Sequence, residues 1–281
     1  MASSSETNEV QEPGRSPYGS DTGYESLKAE LFGPALVIEM MRPQKMNAIS
    51  TTMIDELIEV LDRADGDDAV RGVILRGQDR AFSTGADMND SLNVKALPDA
   101  LRYSKHQRRM TTTIEALLKP VVAAINGYCL TGGLELAMAC DIRIAGEDAQ
   151  FGITSSKIGS VAGLGGTQRL PRLIGPAQAK ELLFTSDFIG ADQAAALGIV
   201  NRVVPAGGVI DAALALVDTF AERAPMSLAL MKRAVNVGMN IDLESALYFE
   251  GHCTAMTLTT DDRAEGWASF FEKRPPVFAG R

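Results

Sequence analysis

The sequence predicts an α/β fold that gives way to an all-helical C-terminal part, and three observations predict it. Short apolar runs alternate with segments of helical spacing through the first two thirds of the chain. From Pro176 onward apolar residues recur almost throughout at helical intervals. Neither an internal repeat nor a long linker interrupts the 281 residues, so one α/β core carrying C-terminal helices fits better than two independent domains.

Leu36–Met40 predicts a short strand, followed by a loop over Arg42–Ala48. Ser50 or Thr51 then caps a helix to about Ala64, with Met53, Leu57, Val60 and Leu61 on one apolar face. Val73–Leu75 predicts a buried strand, and Arg80–Met88 a glycine-containing segment. Pro98–Leu118 predicts a long helix that stops before Pro120. Val121–Ile125 is a β-rich run closed by Asn126-Gly127. Thr131-Gly-Gly133 opens an apolar helix to about Cys140, and Asp141–Ala145 is a further strand. Phe151–Gly166 is loop-rich and runs into Gly163-Leu-Gly-Gly-Thr-Gln-Arg169. Helices are expected over 177–185, 191–196, 209–224, 227–237, 243–258 and 261–271, with one strand at 199–204.

Composition narrows the function. The net charge of −9, from 27 basic and 36 acidic residues, disfavours a nucleic-acid binder, which needs a basic face. It leaves room for a small anionic ligand, because a few local Lys and Arg suffice to hold a phosphate. Cys129, Cys140 and Cys253 lack CxxC spacing and are expected to be reduced, buried thiols. His106 and His252 stand in no metal-ligand spacing, so no metal site is expected. Residues 1–27 are rich in Ser, Glu, Gly and Pro, lack the basic start and apolar run of a secretory signal, and are expected to be disordered. No apolar run is long enough for a membrane span, and a cytoplasmic protein is expected.

Two segments carry chemistry. In Tyr128-Cys-Leu-Thr-Gly-Gly-Leu-Glu-Leu-Ala-Met-Ala-Cys-Asp141, two glycines precede a helix apolar on every side, which must be buried. Glycine at the helix entry admits another molecule to the backbone and leaves N–H groups free. Those groups, at the positive end of the helix dipole, suit a developing negative charge. Glu135 is the one charged residue within the helix. A first-turn glutamate can simply complement the dipole, but its apolar neighbours predict desolvation, a raised pKa and the ability to shuttle a proton. The second segment, Ala81-Phe-Ser-Thr-Gly-Ala-Asp-Met88, places small residues where a ligand could touch the backbone.

Together these segments resemble the crotonase (enoyl-CoA hydratase/isomerase) superfamily. The resemblance extends through Arg42-Pro-Gln-Lys-Met-Asn-Ala48, Gly165-Gly-Thr-Gln-Arg-Leu-Pro-Arg172, Ala194-Ala-Ala-Leu-Gly-Ile-Val-Asn201 and Glu265-Gly-Trp-Ala-Ser-Phe-Phe-Glu-Lys-Arg274, and covers about residues 30–278. It implies a spiral of β-β-α units over 28–205 and a helical oligomerisation region over 206–281, assembling as a homotrimer or a hexamer of paired trimers. It implies a lyase or isomerase of fatty acid metabolism acting on an acyl-CoA thioester, with coenzyme A present as part of the substrate and no separate cofactor. The amides of Ala86 and Gly132 would form the oxyanion hole, and Glu135 would be the catalytic acid/base. Lys45, Thr84, Asp87 and Met88 would lie near the adenine and phosphates of coenzyme A. Lys273 would reach the phosphates, in this subunit or a neighbouring one.

The chain departs from the family at one position. Where related hydratases read roughly Phe-Gly-x-Pro-Glu, this sequence reads Phe151-Gly-Ile-Thr-Ser155. Ser155 therefore stands where a second catalytic glutamate is expected, and a serine is no base at neutral pH without an activating partner. Hydration, double-bond isomerisation, C–C cleavage, thioester hydrolysis and acyl-CoA binding without turnover all stay open. Lys157, His106 and His252 are weaker candidates for replacing the missing acid. Asp141 and Arg143, two apart on one strand, are expected to form an ion pair.

Overall fold

The computed structural model describes residue 18 and residues 23–281 except 79 and 93. Most of the stretch expected to be disordered, 1–27, lies outside the described residues. Its described part is ordered: Tyr18 is buried, and the amides of Glu25 and Ser26 donate to the Glu56 carboxylate at 2.7 and 3.0 Å.

The first elements among the described residues are β1 (Leu27–Phe32) and β2 (Ala35–Met40), paired antiparallel through a tight turn. The sequence reading missed β1, whose Lys, Glu and single apolar residues alternate across an edge strand. Helix α1 (Thr51–Asp65) is capped by Ser50, whose hydroxyl accepts from the Met53 N–H at 3.2 Å. There follow β3 (Gly72–Gly77), β4 (Ala81–Ser83), the short α2 (Met88–Ser91) and the long α3 (Leu97–Ala116). Next come β5 (Val121–Ile125), β6 (Tyr128–Leu130), α4 (Gly132–Ala139), β7 (Ile142–Gly146) and β8 (Gln150–Gly152). A 3₁₀ turn over Ser155–Ile158 leads into α5 (Gly166–Ile174) and α6 (Pro176–Thr185). The core closes with β9 (Ile189–Gly190), α7 (Ala191–Leu197) and β10 (Arg202–Val204).

The strands build two sheets. One has the order β1-β2-β3-β5-β7-β10 and the other β4-β6-β8-β9. Each successive pair, β3/β4, β5/β6 and β7/β8, puts one strand in each sheet before a helix returns the chain for the next step. This is the β-β-α spiral expected from the sequence. Neighbours within the spiral run parallel, so both faces of the larger sheet need cover. Side-chain alternation supplies it. Val73, Leu75, Val121 and Ala123 face the main core with α1 and α4. Ile74, Val122 and Ile144 face the other way, onto Val209, Ala213 and Val217 of α8 (Val209–Ala221).

The last helices are α9 (Pro225–Gly238), α10 (Leu243–Leu258) and α11 (Asp261–Glu272). They expose large apolar side chains, among them Met231, Val235, Leu247, Tyr248, Trp267 and Phe270. Lys232 anchors α9 to the core: its Nζ donates to the carbonyls of Ile114 and Lys119 at 3.0 and 3.1 Å and pairs with Asp141 at 2.8 Å. The expected Asp141–Arg143 ion pair is thereby corrected. Arg143 turns to the carbonyls of Ile199 and Cys140, because Asp141 lies just before β7 and its carboxylate also caps the Val121 N–H at 2.7 Å. Among the described residues no helix is long and apolar enough to cross a membrane.

Candidate active site

The site lies where α4 begins, against the loop that follows β4. Ala86 forms a parallel bridge to Ile49, in which the Ile49 N–H donates to Gly85 O and the Asp87 N–H to Ile49 O, both at 2.8 Å. That pattern uses the peptide groups on either side and turns the Ala86 N–H the opposite way. The loop Arg42–Ala48 is held beside it. Buried Asn47 donates to the carbonyls of Gln78 and Ala81, and the Ser83 hydroxyl donates to Asn47 O at 2.8 Å.

Helix α4 enters this place through glycine. A Cβ added to Gly132 would sit 3.2 Å from the Ala86 nitrogen, and one added to Gly85 would sit 2.8 Å from the Gly132 nitrogen. The two backbones are thus in contact, and the Ala86 and Gly132 amides are neighbours. Neither N–H donates to an acceptor among the described residues. Two unengaged donors, one on buried Gly132 and one on exposed Ala86, meet at a helix N-terminus and suit an oxygen that gains negative charge.

Thr131, before Gly132, has φ +48° and ψ −116°, a conformation that a β-branched residue adopts only when its surroundings impose it. Here its N–H donates to Gly152 O at 2.7 Å, and its Oγ1 accepts from the Thr154 N–H at 3.2 Å and pairs with Thr154 Oγ1 at 2.9 Å. This clasp joins the start of α4 to the segment that carries Ser155.

Glu135 is 2% exposed, in a helix whose residues are all buried. Its Oε1 accepts two backbone hydrogen bonds, from Leu164 N at 2.8 Å and Gly166 N at 2.7 Å. Among the described residues its Oε2 has no hydrogen-bond partner. Desolvation pushes its pKa up to about 7, against the opposing pull of the two N–H donors and of Arg169. Glycine is needed at 166, because a Cβ there would lie 3.0 Å from Glu135 Oε1 and 2.9 Å from Ala162 Cβ. A carboxylate with one oxygen fixed, the other free and a pKa near neutrality can take up and release a proton at physiological pH.

Ser155 opens the 3₁₀ turn, is 5% exposed, and makes no side-chain hydrogen bond among the described residues. Among the described residues no activating partner is hydrogen-bonded to its hydroxyl. The ligand-contact candidates divide. Lys45 and Met88 are exposed, and the Thr84 hydroxyl donates to Met46 O at 3.3 Å. Asp87 is buried, and its carboxylate takes the Arg42 guanidinium at 2.7 Å and caps the Asn89 N–H of α2, which hold its pKa below the usual carboxylate range. Its carboxylate thus pairs within the protein. Lys273 is exposed at the C-cap of α11. Three weaker candidates have other partners: His106 pairs with Asp55 at 2.8 Å, the His252 ring sits tilted against that of Tyr248 with centroids 4.4 Å apart, and Lys157 lies over the Phe188 ring.

Residues 34–281 match the family described as enoyl-CoA hydratase/isomerase. The chain belongs to the enoyl-CoA hydratase/isomerase family. It is 36% identical over 259 residues to a crotonyl-CoA hydratase of Syntrophomonas wolfei, covering 92% of this chain and 99% of that one. A short-chain-enoyl-CoA hydratase of Clostridium acetobutylicum is 36% identical, with 87% and 94% covered. The crystal structure of an enoyl-CoA hydratase from Bacillus anthracis superposes with a TM-score of 0.87 at 34% identity, covering 92% of this chain and all of that one. The fold is accordingly the crotonase fold, and this member is an enzyme of the hydratase/isomerase family.

Sequence reasoning missed the donors that hold Glu135, namely the Leu164 and Gly166 amides, and the Arg169–Glu115 pair behind them. The signal was present: a lone carboxylate in an apolar helix needs partners, and the glycine-rich run 163–166 is the segment able to bring bare amides to it.

Proposed function

We propose that this enzyme adds water across the double bond of a 2-enoyl-CoA thioester, with Glu135 as its only carboxylate acid/base. The single observation that carries this reading is a near-neutral carboxylate, fixed through one oxygen, on the helix that also presents the Gly132 amide beside that of Ala86.

The thioester oxygen accepts from the Ala86 and Gly132 N–H groups, and the alkene becomes electrophilic at Cβ. The free oxygen of ionised Glu135 takes a proton from water as the hydroxyl adds to Cβ. Negative charge collects on the thioester oxygen as an enolate, where each amide donor lowers the barrier by about 2.7–4 kcal/mol. Protonated Glu135 then returns the proton to Cα, which restores the thioester and the carboxylate. One group performs both transfers, so the sequence balances without a second acid. Lys45, Thr84, Met88, the backbone at Asp87, and Lys273 are proposed to hold the coenzyme A portion. The exposed apolar faces of α9–α11 support assembly as a trimer or a pair of trimers. A cytoplasmic location fits a substrate of this kind.

Ser155 favours a second reading, thioester hydrolysis. Water attacks the carbonyl carbon, Glu135 carries its proton to the departing thiolate, and Cα exchanges no proton, so a glutamate at 155 is not required. Purified protein supplied with crotonyl-CoA distinguishes the two. Loss of the conjugated-thioester absorbance without free thiol supports hydration. Thiol release equal to substrate consumed supports hydrolysis. No change in either signal across a range of chain lengths rejects both.

A further inference from the structure

We propose that Arg169, braced by Glu115, is a positioning residue for Glu135: it fixes the loop whose amides hold the Glu135 carboxylate. The inference rests on the acid/base reading of Glu135 and adds how that group is kept in place.

The chain of contacts is continuous. Arg169 Nε and Nη2 make a bidentate pair with the Glu115 carboxylate of α3, at 2.6 and 2.7 Å. The remaining arm, Nη1, donates to the Leu164 carbonyl at 2.7 Å. The Leu164 N–H donates to Glu135 Oε1, as does that of Gly166 two residues on. One planar guanidinium thus ties α3 to the 163–166 loop, and that loop grips the carboxylate of α4. Lysine has no such fork and cannot hold both partners in fixed geometry.

The local backbone is shaped for this contact. Gly165 has φ +111°, and a Cβ there would meet Arg169 Nη1 at 1.9 Å, so the guanidinium passes directly over a residue that must lack a side chain. Glu115 is held in turn, because its carbonyl accepts from Asn236 of α9 at 3.2 Å. The charge acting on Glu135 is that of Arg169 on α5, with Glu115 of α3 behind it. Removing Arg169 withdraws a cation and loosens two amide donors. Both changes favour the protonated form, so Glu135 should titrate at higher pH.

The test compares wild type, Arg169→Met and Arg169→Lys by three readouts. These are the Glu135 titration midpoint from carboxyl-carbon NMR (assigned by its loss in Glu135→Gln), amide hydrogen exchange at Leu164 and Gly166, and kcat and KM on crotonyl-CoA. In Arg169→Met we expect the midpoint to rise by about half a pH unit or more. Exchange should quicken at least about tenfold, and kcat should fall about tenfold or more with KM within about threefold. Arg169→Lys should recover part of the midpoint but little of the kcat. An unmoved midpoint and unchanged exchange in folded Arg169→Met overturn the proposal. Should Arg169→Met not fold, unchanged exchange in Arg169→Lys overturns it equally. A moved midpoint with unaltered kcat upholds the positioning and rejects the acid/base role of Glu135, so the two failures are separable.

Discussion

Glu135 and Gly166 are joined by a 2.7 Å hydrogen bond from amide to carboxylate, and a side chain at residue 166 would crowd the accepting oxygen, because a Cβ there would lie 3.0 Å from it. The buried acid and the glycine-rich loop form one device. The helix supplies a desolvated carboxylate, and the loop supplies donors that hold one of its oxygens while leaving the other free.

Replacing that glycine should therefore damage the site directly. Gly166→Ala places a methyl 3.0 Å from Oε1 and 2.9 Å from Ala162 Cβ, where neither a carboxylate held by two donors nor a packed methyl yields freely. Turnover should fall at least tenfold, and stability by about 1–3 kcal/mol, as for other overpacked interiors. Turnover measurements and a thermal melt check both.

The raised pKa of Glu135 makes stability depend on pH. The folded-state value is about 7, against 4.5 for the free side chain. The favourable contribution is complete below pH 4.5, where both states bind the proton. It is lost as pH rises to 7, because the unfolded chain releases its proton first. The loss is on the order of 3 kcal/mol. Denaturant titrations between pH 4.5 and 7.5 should show wild type falling relative to Glu135→Gln, and parallel curves would refute this.

Lys232 and Asp141 form a mostly buried ion pair linking α9 to the core. Lys232→Met strands the Asp141 carboxylate and should cost about 3–5 kcal/mol. Adding Asp141→Asn should return part of that loss, because no buried charge is then left alone. Chemical denaturation of the two single variants and the double variant measures the coupling.

The clasp between Thr131 and Thr154 predicts a milder effect. Thr154→Val removes the hydroxyl partner of Thr131 Oγ1 but keeps the Thr154 N–H bond. Loss of one such bond should cost about 0.5–1.5 kcal/mol of stability. Thr154→Ser should restore it in the same melting assay.

Much of this was legible in the sequence because its signals are local. Ser50 marks the start of α1, Pro120 the end of α3, and the apolar run Val121–Ile125 a strand buried on both faces. The Gly-Gly entry to an apolar helix containing one glutamate pointed to the candidate site. What escaped depends on contacts distant in sequence. β1 is an edge strand with weak alternation, recognisable through its partner β2. Asp141 meets Lys232 across 91 positions, and the spacing to Arg143 carried no information about that. The pairing of Asp87 with Arg42 joins residues 45 positions apart. The Arg169 brace needs three separate segments in register, which no single stretch of sequence displays.

The most direct test of the account is the pH dependence of kcat/KM for crotonyl-CoA in wild type and Glu135→Gln. The account predicts a single rise in wild type with a midpoint near 7, where the carboxylate ionises. It predicts a rate about 10²–10⁴-fold lower in the variant, with that rise gone. A variant that keeps the wild-type rate and profile would contradict it.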